Sequence, residues 1–299
     1  MVRKRKSKTP ITKSSTSKPS LDSAKPKSTR TLIRRFHVLL KRRAVLQKQQ
    51  AAQELQSVES ELEALGGLEV YQDMSAIGQG KDRGGGSEVV LIEWLKELGF
   101  EGGKAKGKGK EKECVDSEVK LQLLEVGALK PDNYASCSSW ISCMPIDLRS
   151  RHPDIREQDF LKFDVGANLG KWDAVSLSLV VNFVPDARDR GKMLRIAHDI
   201  LRPPDPQTSK PHNGGLLFLV LPTPCVTNSR YMTTEHLISI CSHIGFTLLH
   251  SRCKPGGKVS YWLFTRTDSD YTDTESDKRY AKKVVLREGS DRNNFSILL

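Results

Sequence analysis

The residues best placed to do chemistry lie in four short stretches. The first is LLEVGALKPDNY, residues 123–134, where an apolar run ends in Glu125 and then Gly127. The second is PIDL, whose Asp147 follows Glu125 by 22 residues. The third is Asp159-Phe160, and the fourth is Asn182-Phe183-Val184-Pro185-Asp186. In an open α/β sheet, ligands bind outside the carboxyl ends of the strands. A glycine there lets the backbone approach a ligand that a Cβ would block. An acid at the end of the next strand, about 20 residues on, can accept both hydroxyls of a ribose. Asp159 could accept from an adenine amino group while Phe160 covers the ring. The loop after Glu125 holds one glycine where a dinucleotide site needs G-x-G-x-x-G. That disfavours a pyrophosphate cradle, and with it a nicotinamide-dependent oxidoreductase. The ordered set Glu125, Gly127, Asp147 and Asp159 instead suits an adenosine-type cofactor without a phosphate chain, such as S-adenosylmethionine.

Placing these residues requires a mostly parallel sheet. Apolar runs at 119–126, 140–148, 158–161, 172–184 and 214–222 read as strands. A helix over 185–201 follows the fourth, with Pro185 at its start and Met193, Ile196, Ala197, Ile200 and Leu201 on one face. A helix over 233–244 stops at Gly245, with Leu237, Ile240, Cys241 and Ile244 inward. Residues 246–253 and 258–266 read as a hairpin. Near-continuous apolar strands alternating with amphipathic helices imply a sheet covered on both faces. NNFSILL, 293–299, either returns as an edge strand or does not.

Upstream, residues 29–65 read as one basic-to-amphipathic helix. Leu55, Val58, Leu62 and Leu65 share a face, Leu32, Leu39 and Leu46 repeat at seven, and Gly66-Gly67 ends it. Its basic half, with Arg34, Arg35, Lys41, Arg42 and Arg43, could lie along phosphates or pack on the body. Residues 66–87 form a glycine-rich loop carrying Tyr71, Gln72, Gln79 and Arg83, either over the cofactor mouth or purely structural. Ser87 can cap a helix reaching Gly99, with Leu91, Leu95 and Leu98 on one face. Residues 102–113 are a low-complexity insert and 267–278 an acidic one. The expected organisation is a disordered arm over 1–28, the helix over 29–65, a catalytic domain over 66–266 and an acidic linker with a C-terminal segment over 267–299.

The charge is unevenly placed. The first 48 residues hold 16 of the 48 Lys and Arg and a single acid, Asp22. The other 251 residues carry 32 basic and 35 acidic side chains. The arm is thus a polycationic leash on a near-neutral body, suited to phosphates or to nuclear import through Arg3-Lys4-Arg5-Lys6. No apolar run approaches the roughly 20 residues of a membrane span. Six cysteines, at 114, 137, 143, 225, 241 and 253, form no C-x-x-C pair. They read as reduced intracellular thiols, and a metal site is not expected.

Residues 66–93, together with LLEVGAL, PIDL, WDAVSLSLVVNFVPDARDRGKML, GGLLFLVLP and VLREGSDRNNFSILL, resemble the fungal 25S ribosomal RNA adenine-N1 methyltransferase family. The resemblance covers most of residues 62–299 and not the arm. It implies a Rossmann-like class I methyltransferase fold with a seven-stranded, mostly parallel sheet and a terminal antiparallel hairpin. It implies S-adenosylmethionine as donor, a large-subunit rRNA adenine as acceptor and a nucleolar location. The expected partner is ribosomal RNA or a pre-ribosomal particle, and the chain is expected to be a monomer. By resemblance Gly127 and Asp147 carry over as cofactor contacts. GGGSEVV departs from the polar residues expected there. On chemistry alone, Asn182 would hydrogen-bond the acceptor base edge as the catalytic residue, with Phe183 stacking on the base and Asp186 beside it. The bland readings are that Asn182 ends its strand, Phe183 is core and Asp186 favours a helix N-terminus. The rival class is an inactive, RNA-binding assembly factor on the same fold.

Overall fold

The computed structural model describes residues 26–67, 70, 86–101, 120–150, 152–207, 214–253, 256–267 and 278–299. The expectations for residues 1–25, for Tyr71, Gln72, Gln79 and Arg83, and for most of both inserts therefore lie outside the described residues. So does Cys114.

Seven strands form one sheet: β1 Leu121–Val126, β2 Ile141–Asp147, β3 Arg156–Glu157, β4 Ala174–Ser178, β5 Leu216–Pro222, β6 Phe246–Arg252 and β7 Val259–Arg266. Their order is β3-β2-β1-β4-β5-β7-β6. The first five strands pair in parallel, while β7 runs antiparallel to both β5 and β6. After β1 the chain moves outward through β2 and β3, then returns to place β4 on β1's other side. The carboxyl ends of β1 and β4 therefore flank the switch point, where such sheets bind ligands.

Alternation along each strand builds two cores. Leu124, Val126, Val175, Leu177, Leu217, Leu219, Leu221, Trp262 and Phe264 face one side. The helices α4 Ala187–Ile200 and α5 Thr234–Ile244 cover it, through residues such as Leu194, Ile200 and Ile240. Leu121, Leu123, Ala174, Leu216, Phe218, Val220 and Leu263 face the other, under Val90, Leu91, Trp94 and Leu95 of α3 Glu88–Glu97. Both faces are dry, which is why the central strands read as near-continuous apolar runs.

Four local expectations change. The stretch 29–65 is two helices, α1 Pro26–Gln49 and α2 Ala52–Ala64, broken at Gln50 with φ 54°. Arg35 pairs with Glu61 and Arg42 with Glu54, a register that sets the helices antiparallel. Both pairs are exposed and contribute little. The seam of Phe36, Leu39, Leu46, Val58 and Leu62 holds the hairpin. Next, the third strand is only Arg156–Glu157, and Asp159 instead opens a 3-10 turn over Phe160–Lys162. The fourth strand stops at Ser178, not at residue 184, because Leu179 takes φ 56° and turns the chain off the sheet. Finally, of residues 293–299 only Asn293 bridges, singly to Ser229, and the segment forms no strand. Phe295, Ile297 and Leu299 join the core, and the Leu298 backbone lies against Gly191 of α4, where a Cβ would come within 1.9 Å of its carbonyl oxygen.

Candidate active site

Gly127 is the pivot of the switch point. Its φ of 77° lies in the left-handed region, and its backbone N–H donates to the Ile146 carbonyl at 2.8 Å. A Cβ there would stand 2.6 Å from Cγ2 of Val180, in the loop after β4. Only glycine fits both the dihedral and the approach. The residue that resemblance marks as a cofactor contact thus also joins the two loops that shape the crevice.

Glu125 lies one turn of chain beneath, on the α3 side of the sheet. It is 8% exposed, and Nδ2 of Asn133 donates to its carboxylate at 2.7 Å. The Cys143 thiol also points at it, 3.8 Å away. Burial, opposed by the Asn133 hydrogen bond, pushes the Glu125 pKa up to about 7. The nearby Tyr134 hydroxyl pairs with Ser176, and burial raises it well above the ordinary tyrosine value. Ser87 was expected to cap α3, but its side chain caps nothing and instead meets the Ser178 hydroxyl at 2.5 Å. Asn133, Tyr134 and Ser178 carry no periodic or spacing signal, which is why sequence reading misses them.

Asp147 ends β2, level with Glu157 of β3. Its Oδ1 accepts from the Arg149 N–H at 2.9 Å. Burial raises its pKa, against the backbone donors that lower it. Asp159 stands two residues beyond β3 and accepts from the Leu161 N–H. Phe160 does not line the crevice. It is packed in the core beside Phe163, ring centroids 5.8 Å apart, so it cannot cover a cofactor ring as expected.

The fourth stretch begins in a turn over 180–183, closed by the Phe183 N–H donating to the Val180 carbonyl. Asn182 in this turn is 8% exposed. Its amide oxygen is buried and has no hydrogen-bond partner among the described residues. Leaving a buried acceptor unpaired costs about 1–3 kcal/mol, so such an atom calls for an explanation. Phe183 is half-buried against the α1–α2 seam. Asp186 is the N-cap of α4, accepting from the Arg188 N–H at 2.8 Å. Arg190 fixes the turn from below. It donates to the carbonyls of Val184, Pro185 and Ser296, and its guanidinium lies 4.7 Å over the Phe295 ring.

The donor set suits a cofactor with an ammonium and a ribose diol but no phosphates. Glu125 and Asp147 supply carboxylates at adjacent strand ends, and the Gly127 loop supplies no anion cradle. A family profile described as "25S rRNA (adenine(2142)-N(1))-methyltransferase, Bmt2" matches residues 56–297. The chain belongs to this family. A Schizosaccharomyces pombe protein named 25S rRNA adenine-N(1) methyltransferase is 34% identical over 231 residues, covering 77% of this chain and 76% of its own length. A Saccharomyces cerevisiae protein named 25S rRNA (adenine(2142)-N(1))-methyltransferase is 32% identical over 237 residues, covering 79% of this chain and 60% of its own length. Among solved structures, a Burkholderia thailandensis 1,6-didemethyltoxoflavin-N1-methyltransferase overlaps 50% of this chain and 72% of its own at 16% identity, with a TM-score of 0.37. That last overlap has no bearing on function. Gly127, Asp147 and Asn182 all fall within the span that matches the Bmt2 family. Among the described residues no helix is long and apolar enough to cross a membrane, and no group of three or more His, Cys, Asp or Glu could hold a metal ion.

Proposed function

We propose that this protein transfers the methyl group of S-adenosylmethionine to N1 of an adenine in 25S rRNA. Family membership supports the reaction class, and the unpaired amide oxygen of Asn182 is the observation that carries the site assignment. S-adenosylmethionine, when bound, supplies an electrophilic methyl on a sulfonium. Gly127 clears the backbone at the crevice, Asp147 accepts from the ribose hydroxyls, and Glu125 faces the amino end from beneath the loop. Adenine N1 has an in-plane lone pair and needs no prior deprotonation. The protein's task is therefore alignment and a matched field rather than strong base catalysis. The Asn182 oxygen accepts from the exocyclic amino group, which fixes the base edge with N1 toward the donor. The product ring is cationic, and the same carbonyl dipole favours that developing charge.

The polybasic first 48 residues fit a nucleolar protein that meets rRNA or a pre-ribosomal particle during ribosome biogenesis. In this reading the arm is both import signal and phosphate leash. The test combines mass spectrometry with primer extension on large-subunit rRNA incubated with the purified chain and S-adenosylmethionine. Methylation at N1 blocks reverse transcription, so a new stop at one adenine is expected. Binding of S-adenosylmethionine by calorimetry with no methylation would instead overturn the enzyme assignment in favour of an assembly factor.

A further inference from the structure

The α1–α2 hairpin contributes nothing to the sheet, and the Bmt2 family match begins only at residue 56, inside α2. Its position is nevertheless specific. The ring of Phe183, next to Asn182, completes the hairpin's apolar seam with Phe36, Leu39, Leu46, Val58 and Leu62. One turn along α1, Lys41 comes within electrostatic reach of Arg190 and of Cys225 in the loop after β5. The hairpin thus lies over the loops after β4 and β5, on the acceptor side of the crevice.

Lys41 differs from two of its basic neighbours on α1. Arg35 and Arg42 are engaged by Glu61 and Glu54 of α2. The groups acting on the Lys41 ammonium are a second cation, Arg190, and the Cys225 thiol; no carboxylate among the described residues is one of them. Arg190 cannot turn away, because three backbone carbonyls and the Phe295 ring hold it. Lys41 itself stays accessible. Partial burial of the ammonium, and then the neighbouring guanidinium, push its pKa below the ordinary lysine value. Asp186 acts on Arg190 but not on Lys41, so the Lys41 ammonium faces a like charge with no carboxylate of its own, a cost that an arriving anion offsets.

We propose that the hairpin is the outer wall of the acceptor site and that Lys41 contacts a backbone phosphate of the RNA strand carrying the target adenine. A base that enters the crevice to reach Asn182 must bring its own strand along the adjoining wall, and the hairpin is that wall. The phosphate offsets the repulsion between Lys41 and Arg190, so docking and charge relief occur together. This proposal rests on the RNA methyltransferase reading above.

The experiment compares Lys41→Gln, Lys41→Arg and Lys96→Gln in the full chain. Lys96 is an exposed lysine on α3, paired with Glu101. Binding of a single-stranded rRNA fragment containing the target adenine is measured across a salt series. Removing one cation that neutralises a phosphate lowers the slope of log affinity against log salt by roughly 0.7 to 1. Lys41→Gln should show that decrease and raise the KM for RNA, while kcat and S-adenosylmethionine affinity stay at wild-type values. Lys41→Arg should restore the slope, and Lys96→Gln should leave it unchanged. A wild-type slope in Lys41→Gln, or an equal decrease in Lys96→Gln, overturns the Lys41 assignment alone, provided the wild type methylates the fragment. A wild type that neither binds nor methylates any RNA overturns the function and this proposal together.

Discussion

The two halves of the crevice are built in opposite ways. The donor half, around Glu125, Gly127 and Asp147, is satisfied from within: Asn133 donates to Glu125, the Arg149 N–H to Asp147, and Gly127 to the Ile146 carbonyl. Most of those partners come from the same strand end or the strand beside it. The acceptor half depends on distant chain. Arg190 ties the 180–186 turn to Ser296 near the C-terminus, and the N-terminal hairpin packs on Phe183. Within that well-fastened turn one buried acceptor, the Asn182 oxygen, is left open. A preformed pocket for a small cofactor can complete its own hydrogen bonds. An acceptor held in reserve suits the proposed site for a base that arrives as part of a polymer.

The largest expected effect concerns Glu125. Its folded pKa of about 7 lies above the ordinary 4.5, so the folded protein holds a proton that the unfolded chain releases. That contribution is fully present below pH 4.5 and is lost as pH rises through 7, a change on the order of 3 kcal/mol. Glu125→Gln does not titrate there. Denaturant unfolding at pH 5, 6, 7 and 8 should show the variant gaining on wild type as pH rises, and parallel profiles would refute the buried carboxyl. Gly127→Ala comes next. The left-handed dihedral and the overlap with Val180 together cost roughly 2–3 kcal/mol. Calorimetry should show S-adenosylmethionine affinity down by about 30-fold or more. An unperturbed affinity would mean that the two loops do not meet.

Asn182→Ala separates the halves. It should lower kcat by roughly 10- to 100-fold, about 1.4–2.8 kcal/mol, without changing cofactor affinity. Because the lost oxygen has no partner among the described residues, its removal should not lower the melting temperature. A large fall in melting temperature would instead make Asn182 a structural residue. Asp147→Asn should act only on the donor half. It should weaken S-adenosylmethionine by about tenfold, the value of one hydrogen bond to a charged group, and leave RNA affinity alone. Matched losses of both affinities would erase the distinction between the two sides.

The donor half was legible because its signals are local. An acid and a glycine at one strand end and a second acid at the next are read from spacing, and so are the apolar runs that carry them. The parallel character of the sheet and its antiparallel end follow from the same pattern. The acceptor half was legible only in the residue type of Asn182. Leu179 turns the chain out of β4 against its own β-type pattern, and nothing in WDAVSLSLVVNFV marks that turn. Phe160 looked like a ring cover because an aromatic after Asp159 reads alike whether it faces a ligand or the core. The break at Gln50 is equally silent, since both halves of 29–65 keep helical spacing. The link from Arg190 to Ser296 spans 106 residues, a distance at which periodicity carries no information.

The central claim is that the Asn182 oxygen receives the adenine amino group. The direct measurement is a double-mutant cycle on kcat/KM for methylation of an rRNA fragment. One change is Asn182→Ala, and the other replaces the target adenosine by purine riboside, which lacks the amino group. If the two groups meet, each change alone should slow the reaction by roughly 10- to 100-fold and the pair should cost little more than either one. Independent, multiplying losses would contradict the contact and return Asn182 to a structural role.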